Sequence, residues 1–180
     1  MILTGTKIRE EVEKGNIIID PFDSQCTEPN SYGFHLGSML KYYLVKKLDS
    51  RGPLPFNTVH IPEKGFLLKP NRLYLGQTQE RIGSDYYVPT LHNRLSSATL
   101  GLYIQISAPL GNLGAKIPWT LELRVLHPTV IYPHMLIGKI AFWKPQGKRL
   151  LYQGKYLSST QTEISRLYQD NNKNTPNEEI

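Results

Sequence analysis

The sequence predicts a mainly β protein of one domain, and three observations carry that prediction. Between residues 17 and 150 the apolar residues come in short β-type runs, cut repeatedly by Gly, Pro, Asn or Asp. Helical spacing of apolar side chains is confined to the opening segment. Thirteen prolines and fourteen glycines punctuate the runs, as in a barrel or sandwich rather than in alternating strands and helices. A chain of 180 residues suffices for one core and is short for two. The domain is therefore expected over residues 1–170, with a polar, disordered tail at 171–180.

The elements follow in order. Thr4 is an N-cap, Ile8 and Val12 share one helical face, Glu10 and Lys14 are spaced to pair on the other, and Gly15 ends the helix. Ile17-Ile18-Ile19 is a brief buried strand stopped by Asp20-Pro21. Further β runs are expected at 34–44, 65–75, 86–88, 100–106, 119–126 and 137–143. In the run at 119–126, Leu121, Leu123 and Val125 alternate with Thr120, Glu122 and Arg124, so Glu122 faces away from the core. On spacing alone it is either a solvated charge beside Arg124 or a carboxylate held at a site.

Composition narrows the function classes. No apolar run approaches the roughly 18 residues of a membrane span, and the N-terminus lacks the features of a secretory signal, so a soluble, cytoplasmic protein is expected. Cys26 is the single cysteine, which excludes an internal disulfide and a cysteine-built zinc site. The net charge of +6 favours anionic partners. The basic residues are scattered rather than striped with aromatics, which points to a nucleotide phosphate and not to nucleic acid. Walker, dinucleotide and nucleophile-elbow motifs are absent, and the five histidines lack zinc-ligand spacing.

The richest stretch runs from Ser107 through Gly111 and Gly114 to Glu122. A turn of small residues can press its backbone against a flat ligand, and the strand after it can hold a carboxylate beside that ligand. Further on, residues 155–161 are polar and hydroxyl-rich, either a lid over a bound phosphate or a solvated loop.

Several stretches, in matching order and spacing, resemble one family. Ser31-Tyr32-Gly33-Phe34-His35-Leu36-Gly37 is similar to the S-Y-D-x-x-L-G strand of the dCTP deaminase branch of the dUTPase superfamily, and Glu80-Arg81-Ile82 to its E-x-I. Arg94-Leu95-Ser96-Ser97-Ala98-Thr99-Leu100-Gly101-Leu102 resembles its R-S-S-L-A-R-L-G-L, and residues 107–123 its T-A-x-x-I-D-P-G-x-x-G-x-x-x-L-E-L. Tyr132-Pro133-His134-Met135-Leu136-Ile137-Gly138 resembles Y-P-G-M-x-I-G, and Gly154-Lys155-Tyr156 with Ser165-Arg166 its closing G-K-Y and S-R.

The resemblance implies a distorted β-barrel, of the dUTPase-like β-clip type, that assembles as a homotrimer with sites shared between subunits. It implies a pyrimidine deoxynucleoside triphosphate as ligand, with Mg²⁺ on its phosphates, and zinc-free hydrolytic deamination of dCTP to dUTP. Glu122 is then the general acid/base. Arg94, Ser96, Tyr152 and Lys155 contact the phosphates, and backbone groups at Ala108 and Thr120 read the base. Four positions depart from the pattern: Leu95 replaces a serine, Thr99 an arginine that orients the glutamate, Asn112 the motif aspartate, and Leu110 a polar residue. They define the alternatives: a nucleotide-binding or regulatory relative with impaired catalysis, a dUTP diphosphatase-like enzyme, or one with an altered substrate.

Overall fold

The structure, a computed structural model, describes residues 1–171; the tail expected at 171–180 lies, beyond its first residue, outside the described residues. Chain order is α1 (Gly5–Glu13), β1 (Ile17–Asp20), a 3₁₀ turn (Ser24–Cys26), β2 (Thr27–Glu28), β3 (Ser31–His35), β4 (Met39–Tyr43), β5 (Phe56–His60) and β6 (Phe66–Leu68). There follow β7 (Tyr74–Ser84), β8 (Val88–Asn93), α2 (Leu95–Thr99), β9 (Leu102–Tyr103), β10 (Ile117–Val125), β11 (Thr129–Ile131), β12 (Leu136–Trp143) and α3 (Tyr168–Asn171). No helix among the described residues is long and apolar enough to cross a membrane.

Helix α1 begins as its sequence dictates. The Thr4 hydroxyl accepts a hydrogen bond from the Lys7 amide at 3.3 Å, and Gly15 just past the end has φ +73°. The charged face pairs differently from expectation: Lys7 bridges Glu10 and Glu11 at 3.0 Å each, and Lys14 turns to Glu11. Glu11 is almost wholly buried, so it draws both lysines and a 2.8 Å bond from the Asn16 amide.

Three antiparallel sheets surround the core. The largest runs β5-β4-β7-β10-β9, with β1 pairing the far half of β7; a second runs β2-β3-β12-β8, and β11 pairs β6. These sheets do not close into a hydrogen-bonded barrel among the described residues, so the expected barrel is an open assembly of sheets. Tyr32, Phe34, Leu36, Leu40, Leu121, Leu123, Ile140 and Phe142 fill the space between them. Fully burying one such side chain contributes about 1.5–3 kcal/mol.

The expected run at 34–44 is two strands broken at 36–38, because Leu36 leaves the β3 ladder and the Gly37 amide bonds Gln77 O. The run at 65–75 likewise splits, around the positive-φ Asn71. Residues 100–106 contribute only the two-residue β9, preceded by α2, whose five residues are too few to show a helical period.

The pairing of β7 with β10 slips between Pro118/Arg81 and Thr120/Gln77, a bulge on the β7 side. The Thr78 hydroxyl stitches it, accepting from Trp119 N and donating to Glu80 O. The Glu80 carboxylate turns inward and receives the His35 amide and ring Nδ1. The Glu80-Arg81-Ile82 motif is thus a joint between two sheets.

Candidate functional site

A cleft of about 480 Å³ opens beside β10, under residues 156–165. Its floor is Thr120 and Glu122, one wall is Ala108 and Leu110 of the turn before β10, and the roof is Tyr156, Ser159 and Glu163. Strand alternation sets this arrangement. Leu121, Leu123 and Val125 are buried in the core while Thr120 and Glu122 are half-buried on the opposite face.

The turn is fixed from several sides. Segment 109–111 runs along β8, with Leu91 N donating to Pro109 O at 2.9 Å and Gly111 N to Pro89 O at 2.8 Å. A Cβ on Gly111 would lie 2.6 Å from both the Pro89 ring and the Trp119 indole, so the close approach demands glycine. Gly114, at φ +86°, donates to Ser84 O.

Glu122 is held by backbone. Its Oε2 accepts from the amides of Ile106 (3.0 Å) and Ser107 (3.3 Å), while its own amide bonds Ile104 O at 2.9 Å. Two amides on one oxygen fix the carboxylate plane, and Oε1 has no hydrogen-bond partner among the described residues. The resemblance expects an orienting arginine at the position of Thr99. Thr99 itself is exposed and spends its hydroxyl on Leu95 O and Ser96 O. Arg124 lies on the exposed side of β10.

The roof is latched to the sheet. Lys41, a buried lysine with no carboxylate partner among the described residues, donates from Nζ to Thr162 O at 2.7 Å. The Thr162 hydroxyl bonds Gln77, the Glu163 amide bonds the Thr120 hydroxyl, and the Ser165 amide bonds the Tyr43 hydroxyl. Sequence reasoning missed Lys41, Tyr43, Thr162 and Glu163, whose latching bonds join positions 43 to 122 apart in the chain.

Of the sequence-predicted residues, the cleft brings together Glu122, Ala108 and Thr120. Arg94, Ser96, Tyr152 and Lys155 are not among its lining. Arg94 is paired with Glu28 at 2.6 Å, with Lys139 3.9 Å from the same carboxylate. Ser96 is exposed on α2, and its neighbour Ser97 is the buried serine, donating to Ile137 O. The Tyr152 hydroxyl accepts from Tyr156 N, and its amide ties the turn through Leu113 O. Lys155 is bonded to the Asp170 carboxylate and to Arg166 O; the Asp170 bond raises its pKa above the ordinary lysine value. Leu95 and Asn112 are exposed, and Leu110 forms a bridge with Thr90.

Fold and cleft together define a mainly β protein that presents one backbone-held carboxylate to a pocket roofed by its own C-terminal segment. A family model described as dCTP deaminase-like matches residues 2–145, and the chain belongs to that family. It is 39% identical over 171 residues to a "dCTP deaminase, dUMP-forming" of Clostridium beijerinckii, covering 94% of this chain and 98% of the relative. A relative of the same description from Leptospira biflexa matches at the same identity and coverage. A "dCTP deaminase" of Rhodopirellula baltica is 40% identical over 82% of this chain and 74% of its own length. Among solved structures, 2'-deoxycytidine 5'-triphosphate deaminase from Agrobacterium tumefaciens superposes with a TM-score of 0.63 at 18% identity. That match covers 78% of this chain and 47% of the other, a likeness of fold over about half of the solved chain.

Proposed function

We propose that this chain deaminates dCTP and that Glu122 is the general acid/base. The observation that carries the reading is the Glu122 carboxylate, fixed by two amides in a cleft walled by the small-residue turn, in a chain of the dCTP deaminase-like family. Water adds to C4 of the cytosine, giving one proton to Glu122, which passes it to ring N3; the proton of the new C4 hydroxyl is then carried by Glu122 to the amino group, the C4–N bond breaks and ammonia leaves as the C4 carbonyl forms. One water is consumed and a uracil ring remains.

The relatives' names extend the reaction. In that reading a second water cleaves the α–β phosphoanhydride, so that dCTP and two waters give dUMP, pyrophosphate and ammonia. A second reading stops at dUTP, favoured by Asn112 at the position of the motif aspartate. An amide cannot take a proton from water attacking phosphorus.

The proposed assembly is a homotrimer in which Arg94 and Ser96 serve a neighbour's cleft. Supporting it, Leu95, Leu100, Tyr103, Ile106 and Leu126 stand exposed on and around α2 and β9. Mg²⁺ is proposed to ride on the triphosphate. Among the described residues no three His, Cys, Asp or Glu side chains gather as a metal site, and phosphate oxygens suit this hard cation.

The test is incubation of the purified protein with dCTP and Mg²⁺, following ammonia and separating dUMP from dUTP by chromatography. Ammonia release no faster than that of Glu122→Gln overturns the proposal, and dUTP as sole end product selects the second reading. Light scattering of the same sample checks the trimer.

A further inference from the structure

Beside the cleft lies a second depression, of about 620 Å³, between the β4–β5 hairpin and the segment leading into β7. Tyr43 and Leu73 line both, so the two hollows share a wall. The second carries Lys46, Lys69 and Arg72 and, among the described residues, no acidic residue in its lining. None of the three cations forms an ion pair among the described residues.

Arg72 and the backbone at Lys69 are held in place. The Arg72 guanidinium lies 3.9 Å from the centroid of the Tyr42 ring and 5.6 Å from that of Tyr74. The Tyr42 hydroxyl accepts from Asn57, and the Tyr74 hydroxyl accepts the Lys69 amide at 3.2 Å. Asn71 between them takes the left-handed conformation, φ +60°, which turns the chain sharply. A guanidinium lying on rings presents its N–H edge outward, and two lysines within the same hollow add donors of one sign. The contrast is with Arg94 and Lys155, both already bonded to carboxylates.

We propose that Lys46, Lys69 and Arg72 form a binding site for a polyphosphate group, adjoining the Glu122 cleft across Tyr43 and Leu73. The group is either part of the phosphate tail of the nucleotide whose base occupies the cleft, shared with Arg94 and Ser96 of a neighbouring subunit, or a separate phosphorylated ligand. The first source rests on the deaminase reading; the site itself does not.

The probe is inorganic tripolyphosphate, titrated calorimetrically at low ionic strength into the full chain. Wild type binds, and the Lys46→Ala/Lys69→Ala double variant binds at least tenfold more weakly, with a steep salt dependence lost in parallel. Arg72→Gln, which removes the charge and keeps a polar side chain at this exposed position, weakens binding without lowering the unfolding midpoint. Absence of binding to wild type, or equal binding to the double variant, overturns the site.

Competition with dCTP separates the sources. Displacement of tripolyphosphate by dCTP, with a raised KM for dCTP in the double variant, assigns the nucleotide's own phosphates. Simultaneous binding assigns a separate ligand. Were Glu122→Gln and wild type equally silent on dCTP while tripolyphosphate still bound, the deaminase reading would fail and this site would stand.

Discussion

Glu122 and Arg94 are both charged, partly exposed and predicted to act on one ligand, yet they are held in opposite ways. The carboxylate is fixed by neutral donors, the amides of Ile106 and Ser107, which orient it without a counter-charge. The guanidinium is fixed by a counter-charge, Glu28, which orients it and neutralises it. A residue held by amides is ready to act, whereas one held in an ion pair must first exchange its partner.

Replacing Glu122 by Gln tests the first half of that contrast and has the largest expected effect. Steady-state ammonia release should fall by about 10²–10⁴-fold, the usual contribution of a positioned acid/base group. The unfolding midpoint should hold, because β10 packs through Leu121 and Leu123 on its other face.

Lys41→Met asks whether the roof needs its latch. The Thr162 carbonyl loses a buried partner, costing about 1–3 kcal/mol. Hydrogen exchange should quicken across residues 155–166 while the core β7–β10 pairing stays protected, and unchanged exchange in the roof would refute the latch.

A second carboxylate repeats the Glu122 theme within α1. The Asn16 amide, with help from Lys7 and Tyr87 and against the opposing effect of burial, lowers the Glu11 pKa to about 2 from an ordinary value near 4.5. Because the folded value is the lower one, this carboxylate adds stability above pH 4.5 and loses that contribution as pH falls toward 2. The stability gap between wild type and Glu11→Gln in urea melts should narrow over that window.

Freeing Arg94 is a smaller change. Glu28→Gln removes a partly exposed ion pair worth about 1 kcal/mol or less. If Arg94 serves a nucleotide phosphate, KM for dCTP should drop by about twofold to threefold, and a rise would mean that Glu28 positions it. The smallest effect is expected at His134, at φ +59°, where the resembled motif has glycine. Relief of the left-handed conformation, about 1–2 kcal/mol, is offset by about 0.4–1 kcal/mol of added unfolded-state entropy. The ring also gives up its 2.8 Å hydrogen bond with Gln79, which is worth about as much as the remainder, so His134→Gly should move Tm by no more than about 1–2 °C.

Much of this was legible in the chain. Thr4 and Gly15 bounded α1, the alternation through Leu121, Leu123 and Val125 placed Glu122 outside the core, and the turn with Gly111 and Gly114 marked the cleft wall. Those signals are local: a cap, a period of two and a backbone too crowded for a Cβ. The α2 turn left no periodic trace, and the open edges of the sheets were hidden because closure depends on how distant strands meet.

By itself, then, the sequence determined the β class, the first helix, the face on which Glu122 stands and the family to which the chain belongs, since each follows from neighbours or from motif order. Only the tertiary structure decided that residues 156–165 roof the cleft, that Lys41 latches them, and that Arg94 pairs with Glu28 while Lys46, Lys69 and Arg72 have no ion-pair partner among the described residues. These are pairings across 66 to 121 positions for the Glu28 and Lys41 contacts, and partners that far apart are chosen by the packing of the sheets, which no local pattern encodes.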